Sequence, residues 1–521
     1  MVRLKLYLQA NMVHSIITNS IMKFGGLKRY AAFLAFSAIM ASCGAAGSKE
    51  EKVELSPIMK KALEDKSSRF YANFEEFPKD KKMLPIGVFD SGTGGLTVLE
   101  VMLSLDKMDN ITGKMGPDGI PDFAGENFTF LGDMANMPYG NYAAEKKEQF
   151  FKELVVKDAL FLLGDKYYKS PMDEEPTGVK EKSKILVIAC NTATAWGLND
   201  IQVMLDKSGT GVKVIGVINA GVNALYDNIK KDSLQQPTTV GVLATKGTIS
   251  SNAYERTIRE MYPQKGYAGE INVVNHACAG FAESVDMEKD FVNVSLEAPR
   301  ADYRGPKMGL GSEDIKEELL PAYNFTYGKN DILYKKENGR FTEFQLNSAA
   351  NYARFHLVTL LEKHIASGNK APMKNIILGC THYPFLLDTL VKAVEELRAY
   401  SVNGKRIYND VLAEDLAFID PAVFTAIECY QALREEKNLA LRTVDGKVDA
   451  YISVPAYGLA PEALDENGNL SYNFKYGREY GTEDMTTVFV PISRRYVSKE
   501  NLNRLEALVP YSYNEINKIM E

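Results

Sequence analysis

Two segments of this chain share one pattern, and that pattern constrains the fold more than any other feature of the sequence. They read KILVIACNTATAWG at 184–197 and KNIILGCTHYPFLL at 374–387. In each, a short run rich in Ile and Val ends at a cysteine, Cys190 or Cys380, and hydroxyl residues and a helix-like segment follow. This pattern predicts a buried strand that turns into a helix, and such turns line the ligand-binding crevice of an open α/β sheet. The sequence therefore predicts two thiols that reach one ligand from opposite sides, each near a helix N-terminus that lowers its pKa.

Two earlier segments resemble each other in the same way. PIGVFDSGTGGLTVLEVM (85–102) and TVGVLATKGTISSNAYERTI (239–258) each begin with a Gly-Val strand, pass through a turn with hydroxyl residues and glycine, and end in a helix. One cysteine strand follows each of these openings, in the same order. We interpret this as a weak internal repeat, which predicts an α/β fold of two similar domains with mostly parallel sheets.

The charge and the cysteine content exclude several classes of protein. A formal net charge of −7 argues against a nucleic-acid partner, because such a surface normally has an excess of basic residues. Five cysteines in 521 residues are too few and too scattered for a disulfide scaffold or a zinc cluster, so we expect no metal site. The glycine-rich turn at 90–95 suits an anionic ligand, but it lacks the lysine of a P-loop and the spacing of a dinucleotide fingerprint.

The N-terminal region indicates export. From Met22 the chain has basic residues, then an apolar run that ends at Met40, then small residues before Cys43, as a secretory signal does. The tetrad MASC at 40–43 resembles the lipobox of bacterial lipoproteins, although Leu is usual at its first position. By that resemblance the mature protein begins at a lipidated Cys43 and is anchored to a membrane, in the periplasm or at the outer face. The alternative is an uncleaved tail with a free thiol, on a cytoplasmic protein.

Six motifs follow one another over roughly residues 84–430: DSGTGGLTVL, GDMANMPYG, ACNTATA, GVLATKGTISSNAY, ACAGFAESVD and LGCTHYPFL. In this order they resemble the glutamate racemase family of the aspartate/glutamate racemase superfamily. The resemblance implies two similar α/β domains that face each other across a central active-site cleft, with a chain that returns to the first domain near its end. It also implies cofactor-independent racemisation of L-glutamate to D-glutamate, which serves peptidoglycan and the cell wall.

The resemblance gives the two thiols their roles. Racemisation removes the α-proton on one face and returns a proton on the other, so two acid/base groups must flank the α-carbon. By resemblance Cys190 and Cys380 are these groups, Asp90 assists one of them, and His382 assists the other. Asp286 occupies a position where the family usually has Glu, and its shorter reach puts that helper role in question.

By the same resemblance, another set of residues binds the ammonium and carboxylates of the substrate or shapes the pocket. These residues are Ser91, Pro138, Tyr139, Gly140, Asn191, Thr192, Thr245, Thr248 and Thr381. Thr245 and Thr248 have an alternative role as helix caps. The sequence departs from the family at Asn136, where an Arg is common, and such departures favour an altered substrate preference.

The predicted organisation has five parts. They are a signal and lipobox region (1–43), a tether with a short helix (44–83), a first α/β domain (84–216 and 395–433), a second α/β domain (217–394) with an insertion at 287–345, and a C-terminal extension (434–521). The insertion is predicted to be polar and irregular. The extension has strand-like stretches, KVDAYISV and TTVFVPIS, but no recognisable motif.

Alternative functions stay open, because the N-terminal region indicates export whereas the resemblance implies an enzyme that racemises glutamate in the cytoplasm. One is a lipoprotein that binds an acidic amino acid or a cell-wall fragment without turnover, and another is a racemase of altered specificity. A thiol hydrolase would use Cys380 and His382 but leave Cys190 idle. The expected partners are a small acidic amino acid, a membrane through the lipid on Cys43, and a second copy of the chain in a homodimer.

Overall fold

The computed structural model describes residues 54–229, 237–440, 446–483 and 485–520. The predicted signal region with Cys43 lies outside the described residues. Leu55–Glu521 forms one compact unit. Within the described residues, no helix is both long enough and apolar enough to cross a membrane.

The strands of the described chain are numbered in sequence order. They are β1 Ile86–Asp90, β2 Phe128–Gly132, β3 Lys166–Tyr167, β4 Gly178–Val179, β5 Ile185–Ile188, β6 Lys213–Gly216, β7 Thr238–Ala244, β8 Ile271–Ala277, β9 Ile332–Glu337, β10 Arg340–Leu346, β11 Met373–Gly379, β12 Ser401–Val402, β13 Lys405–Arg406, β14 Leu412–Ile419, β15 Val448–Pro455 and β16 Thr487–Pro491.

The α-helices are numbered in the same way. They are α1 Pro57–Glu64, α2 Leu96–Ser104, α3 Gly140–Ala144, α4 Glu148–Leu163, α5 Asn191–Ser208, α6 Val217–Asn228, α7 Lys246–Ser250, α8 Ala253–Gln264, α9 Phe281–Val285, α10 Leu320–Tyr323, α11 Ala349–Ala366, α12 Leu387–Ala399, α13 Pro421–Glu435, α14 Tyr472–Gly477, α15 Lys499–Leu508 and α16 Pro510–Asn517. Short 3-10 helices occur at Phe74–Glu76, Thr93–Gly95, Met134–Asn136, Glu317–Leu319, Tyr383–Leu386 and Pro461–Ala463.

The first sheet has six strands in the order β16-β15-β2-β1-β5-β6. All neighbours pair in parallel except β15 and β16. Strands β1, β2 and β5 are buried along their whole length, as expected for a parallel sheet with helices on both faces. This sheet and the helices packed on it are called the first lobe.

The second sheet has four parallel strands in the order β14-β11-β7-β8. This sheet and its helices are called the second lobe. In each lobe the strand of the opening segment, β1 or β7, pairs directly with the cysteine strand, β5 or β11. The structure therefore confirms the predicted fold class of two similar α/β halves with mostly parallel sheets.

The chain passes between the lobes late in the sequence. The predicted first domain included residues 395–433, but the pairing of β14 with β11 places Leu412–Ile419 in the second sheet. The helix that follows, α13, contributes Ala426, Cys429 and Leu433 to the core of the first lobe. The return to the first lobe thus occurs between β14 and α13, because each element goes to the sheet or core that buries its apolar side chains.

The insertion at 287–345 is more ordered than its polar composition suggests. It contains the antiparallel hairpin of β9 and β10. Its aromatic residues Tyr323, Phe325 and Phe344 are buried in the core of the second lobe, together with Phe355 of α11. Aromatic side chains bury a large apolar area per residue, so a few of them anchor a segment that is otherwise polar.

The C-terminal extension is an integral part of the first lobe. Strand β15 pairs in parallel with β2, and β16 then pairs with β15, so the two strand-like stretches extend the first sheet at one edge. Helix α4 is buried along nearly its whole length. Its Lys157 binds Glu483 of the extension at 2.7 Å, and both side chains are buried, so the extension covers this part of the helix.

Candidate active site

A cavity of about 200 Å³ lies between the carboxyl ends of the strands of the two lobes. Both cysteines of the paired segments line it, and each is 7% exposed. The cavity brings together most of the residues that the sequence singled out. These lining residues are Asp90, Ser91, Pro138, Tyr139, Gly140, Cys190, Asn191, Thr192, Thr245, Asp286, Cys380, Thr381 and His382.

One side of the cavity is built by the first lobe. Asp90 ends β1 and Cys190 follows β5, and because these parallel strands are neighbours their ends meet at one edge of the sheet. Burial raises the pKa of Asp90, and a carboxyl group with a raised pKa is a stronger base. Ser91 donates a long hydrogen bond of 3.5 Å to the Asp90 carboxylate. Asp90 is therefore a proton acceptor beside the Cys190 thiol.

The other side is built by the second lobe. The Sγ atom of Cys380 lies 3.4 Å from Nδ1 of His382. On the far side of the ring, Nε2 of His382 lies 2.9 Å from a carboxylate oxygen of Asp286. Burial alone would lower the pKa of His382, but Asp286 and Cys380 raise it well above its ordinary value. Protonated His382 is thus held between the Asp286 carboxylate and the Cys380 sulfur.

The pKa of Cys190 differs from the sequence expectation. Cys190 does precede α5, whose N-terminus was expected to lower the thiol pKa. Burial and the negative charge of Asp90 instead raise it well above its ordinary value, and these effects outweigh a hydrogen bond from the backbone of Ala193. Cys190 is therefore a protonated thiol at neutral pH.

Glycines in the 90–95 turn allow the two sides to approach each other. A Cβ atom added at Gly94 would lie 2.5 Å from Cε1 of His382, and one added at Gly95 would lie 2.4 Å from Cβ of Asp90. The sequence suggested that these glycines admit an anionic ligand. The structure gives them a packing role: Gly94 lets the turn of the first lobe touch His382 of the second lobe, and Gly95 lets the turn pack closely against Asp90 within the first lobe.

Three predicted hydroxyl residues form one cluster. Oγ1 of Thr192 lies 2.9 Å from Oγ1 of Thr245 and 3.1 Å from Oγ1 of Thr248. Thr192 and Thr245 line the cavity, whereas Thr248 lies behind them and is 1% exposed. Thr245 also accepts a 3.4 Å hydrogen bond from the Thr248 backbone, so it is the N-cap of α7, the alternative role that the sequence left open.

Other predicted residues are held by buried partners. The Tyr139 hydroxyl contacts Asp133 at 2.6 Å and Asp158 at 2.8 Å, which directs it away from a ligand. The side-chain oxygen of Asn191 accepts a 2.6 Å hydrogen bond from Tyr254. Pro138 follows a cis peptide bond and lines the cavity between these groups.

Several charged residues of the cavity were missed by sequence reasoning. They are Lys246, Glu283, Glu288 and Arg304. Burial, together with Glu283 and Asp286, raises the pKa of Glu288 to about 8. Lys246 and Glu283 lie inside the motifs at 241–254 and 277–286, so the motifs were the signal for them. Arg304 belongs to the insertion, where no pattern indicates it.

A buried group of His276, Cys278 and His356 has the side chains of a metal site, and its ligand atoms lie within 4.8 Å of one another. Nε2 of His276 and Nδ1 of His356 are 2.8 Å apart, so the two rings form a hydrogen bond with each other. Burial raises the pKa of the Cys278 thiol and lowers the pKa of both histidines, so all three groups are neutral at pH 7. Hydrogen bonding between neutral groups explains this arrangement.

Comparison with known proteins gives the family. A glutamate racemase of Staphylococcus haemolyticus is 33% identical over 305 residues, which cover 56% of this chain and 93% of that protein. One from Oceanobacillus iheyensis is 29% identical over 312 residues, which cover 60% of this chain and 72% of the relative. No protein-family model matches the chain.

Solved structures of glutamate racemases are also similar to this chain. Isoform RacE1 from Bacillus anthracis aligns with a TM-score of 0.39 and 23% identity, over 71% of this chain and 88% of that one. A structure from Francisella tularensis in complex with D-glutamate aligns with a TM-score of 0.37 and 20% identity, over 71% and 88%.

The two-lobed α/β fold, the paired thiols in its cleft and the sequence relatives define the class of this protein, which is an amino-acid racemase. Within that class, the chain belongs to the glutamate racemase family.

Proposed function

We propose that the chain racemises glutamate in this cavity with Cys190 and Cys380 as its two acid/base groups. The observation that carries the proposal is the convergence of two thiols from different lobes on one small cavity, each with its own proton partner. Asp90 is the partner of Cys190, and His382 is the partner of Cys380. Binding alone does not need two thiols that each have a proton-exchanging partner.

The proton transfers follow from the protonation states. One thiolate removes the α-proton on its face, and the opposite thiol returns a proton to the other face. The raised pKa of Cys190 keeps it protonated at neutral pH, ready to act as the acid, and Asp90 takes up its proton when it must act as the base. His382 takes up the Cys380 proton when that sulfur must act as the base, and the resulting imidazolium, stabilised by Asp286, returns it. The two thiols exchange roles with the handedness of the substrate.

The cavity suits a small substrate that carries both signs of charge. Its volume of about 200 Å³ is below the range of about 300–1,000 Å³ that is typical of pockets for drug-sized ligands. Lys246 and Arg304 offer cations for two carboxylates, and the acidic groups of the lining offer partners for an ammonium. The hydroxyls of Thr192 and Thr245 complete the polar contacts.

The test uses the reduced protein in deuterated water with L- or D-glutamate, and follows the α-proton by NMR and the configuration by chiral separation. The wild type is expected to exchange the α-proton with inversion. Cys190→Ser and Cys380→Ser are each expected to lower the racemisation rate on the order of 10²–10⁴-fold, the contribution of a general acid or base. Cys429→Ala is the matched control, because Cys429 is a buried thiol in the core of the first lobe.

Glutamate that binds without α-proton exchange in the wild type would contradict the proposal and support the receptor without turnover. Aspartate and larger amino acids, run in parallel, distinguish a racemase of altered specificity. We further propose that the enzyme works as an exported lipoprotein, on the basis of the sequence before Cys43.

A further inference from the structure

The carboxylate of Asp286 has two cationic partners, and one of them comes from the C-terminal extension. One oxygen lies 2.9 Å from Nε2 of His382, and the other lies 2.6 Å from Nη2 of Arg504. The Nη1 group of Arg504 also donates a hydrogen bond to the backbone carbonyl of Val285. The guanidinium of Arg504 therefore binds both the Asp286 carboxylate and the Val285 carbonyl. These two contacts fix the orientation of the carboxylate.

This contact crosses from one lobe to the other. Arg504 lies on α15, whose Leu502 and Leu505 are buried in the core of the first lobe. Asp286 directly follows α9, whose Phe281 belongs to the core of the second lobe. The chain segment that completes the environment of His382 is thus supplied by the opposite lobe and by an element outside the six family motifs.

The environment makes this contact strong. The side chains of His382, Asp286 and Arg504 are 10%, 13% and 15% exposed, so water screens their charges weakly. Burial alone would raise the pKa of Asp286, but His382 and Arg504 hold it below its ordinary value. A charged and correctly directed Asp286 in turn orients the His382 ring toward Cys380.

We propose that Arg504 is a positioning residue for the Cys380 half of the active site, acting through Asp286 and His382. The inference rests on the proposed racemase function. It makes the C-terminal extension a part of the catalytic machinery. Among the contacts of the described residues, none joins Arg504 to Asp90 or Cys190, so its effect is confined to one of the two proton transfers.

The kinetic test compares Arg504→Gln and Arg504→Lys with the wild type, using L- and D-glutamate with protium or deuterium at Cα. Because the equilibrium constant between enantiomers is one, kcat/KM must fall equally in both directions. Arg504→Gln is expected to lower it on the order of 10²-fold, as misplacement of a reacting group by about 1 Å does. The deuterium isotope effect on kcat/KM should rise for the enantiomer that Cys380 deprotonates and fall for the other.

The control is Arg494→Gln. Arg494 lies in the same extension and donates a 2.6 Å hydrogen bond to Asn517 at the surface. It should leave the rate and both isotope effects unchanged. Arg504→Lys keeps the positive charge but cannot bind Asp286 and Val285 at the same time. We therefore expect this variant to have a kcat/KM between those of Arg504→Gln and the wild type. If Arg504→Gln does not fold, Arg504→Lys must show the same pattern with smaller changes: the isotope effect rises for the enantiomer that Cys380 deprotonates and falls for the other.

A second readout does not depend on turnover. In protein labelled with ¹⁵N-histidine, the Nε2 proton of His382 should give a downfield resonance because it is hydrogen-bonded to a carboxylate. This resonance should persist in Arg494→Gln and shift or disappear in Arg504→Gln. An active wild type in which Arg504→Gln leaves isotope effects and resonance unchanged would overturn the inference. A wild type without exchange overturns the proposed function instead, and the resonance still decides the role of Arg504.

Discussion

At the scale of single residues, the two thiols of the site differ in the acid/base group beside each of them. A buried carboxyl, Asp90, accompanies Cys190, whereas an imidazolium held by Asp286 accompanies Cys380. The sequence left open whether Asp286 is long enough to contact His382, since the family usually has Glu at this position. It reaches His382 at 2.9 Å. The shorter side chain is compatible with the contact because Arg504 approaches it from the other side.

Asp286→Asn keeps the shape of the side chain but removes its charge. We expect the free energy of unfolding to fall by about 1.5–3 kcal/mol, the contribution of a hydrogen bond to a charged group. The pKa of Asp286 is lowered, so its contribution is present above the unfolded value of about 3.9 and lost as pH falls through the folded pKa. The pKa of His382 is raised, so its contribution is present below about 6.5 and lost as pH rises through the folded pKa.

The difference between wild type and Asp286→Asn should therefore be largest between about pH 4 and pH 6.5 and should narrow on either side. Urea unfolding at a series of pH values measures it. A difference that is as large below pH 4 and above pH 6.5 as it is between them would show that Asp286 and His382 are not coupled through charge.

At the scale of elements, the extension and the cysteine strand are joined through buried ions. Lys184, which immediately precedes β5, binds Glu126 at 2.5 Å, and both side chains are at most 1% exposed. Lys184 also donates to the carbonyl of Asn438 at 2.9 Å, and Glu126 accepts from the backbone of Ala440 at 2.6 Å. The start of the strand that delivers Cys190 is thus bound to the start of the extension.

Lys184→Met is expected to lower the free energy of unfolding by about 3–5 kcal/mol, because it leaves the Glu126 carboxylate buried without its cation. Denaturant titration with a circular dichroism signal measures this loss. The double variant Lys184→Met/Glu126→Leu should recover most of it, since replacement of both partners leaves no buried charge. Equal losses in the single and double variants would mean that packing, not the ion pair, sets the cost.

At the scale of the whole molecule, the two lobes meet at close contacts around the cavity. Gly94 of the first lobe abuts His382, and a Cβ at Gly247 of the second lobe would lie 3.0 Å from Cα of Gly140 in the first. Arg504 and Asp286 add an ion pair across the same cleft. A cavity assembled in this way depends on the correct approach of the lobes, because each lobe carries one thiol.

The location of the molecule is a separate prediction, made from the sequence before Cys43. Cells that express the full chain should incorporate a labelled fatty acid into the protein and retain it in the membrane fraction. Cys43→Ser should lose the label but keep its racemase activity, because every residue of the candidate active site lies after residue 54. Full recovery of an unlabelled wild type in the soluble fraction would contradict the lipoprotein assignment.

The sequence by itself determined the fold class, the two cysteine turns and most of the cavity lining. Cys190 and Cys380 were predictable because an apolar strand, a cysteine and a helix-like segment are consecutive in the chain, and parallel strands present their ends at one edge. The strands β15 and β16 were predictable as strands for the same local reason.

Only the tertiary structure decided where these strands pair and what surrounds the thiols. Strand β15 pairs with β2, and Arg504 contacts Asp286, although the partners are more than two hundred residues apart in the sequence. No local periodicity encodes such a pairing. The raised pKa of Cys190 likewise depends on burial and on Asp90, a residue of another strand. Local patterns place reactive groups at the ends of elements, whereas long-range packing sets their charge, their partners and their orientation.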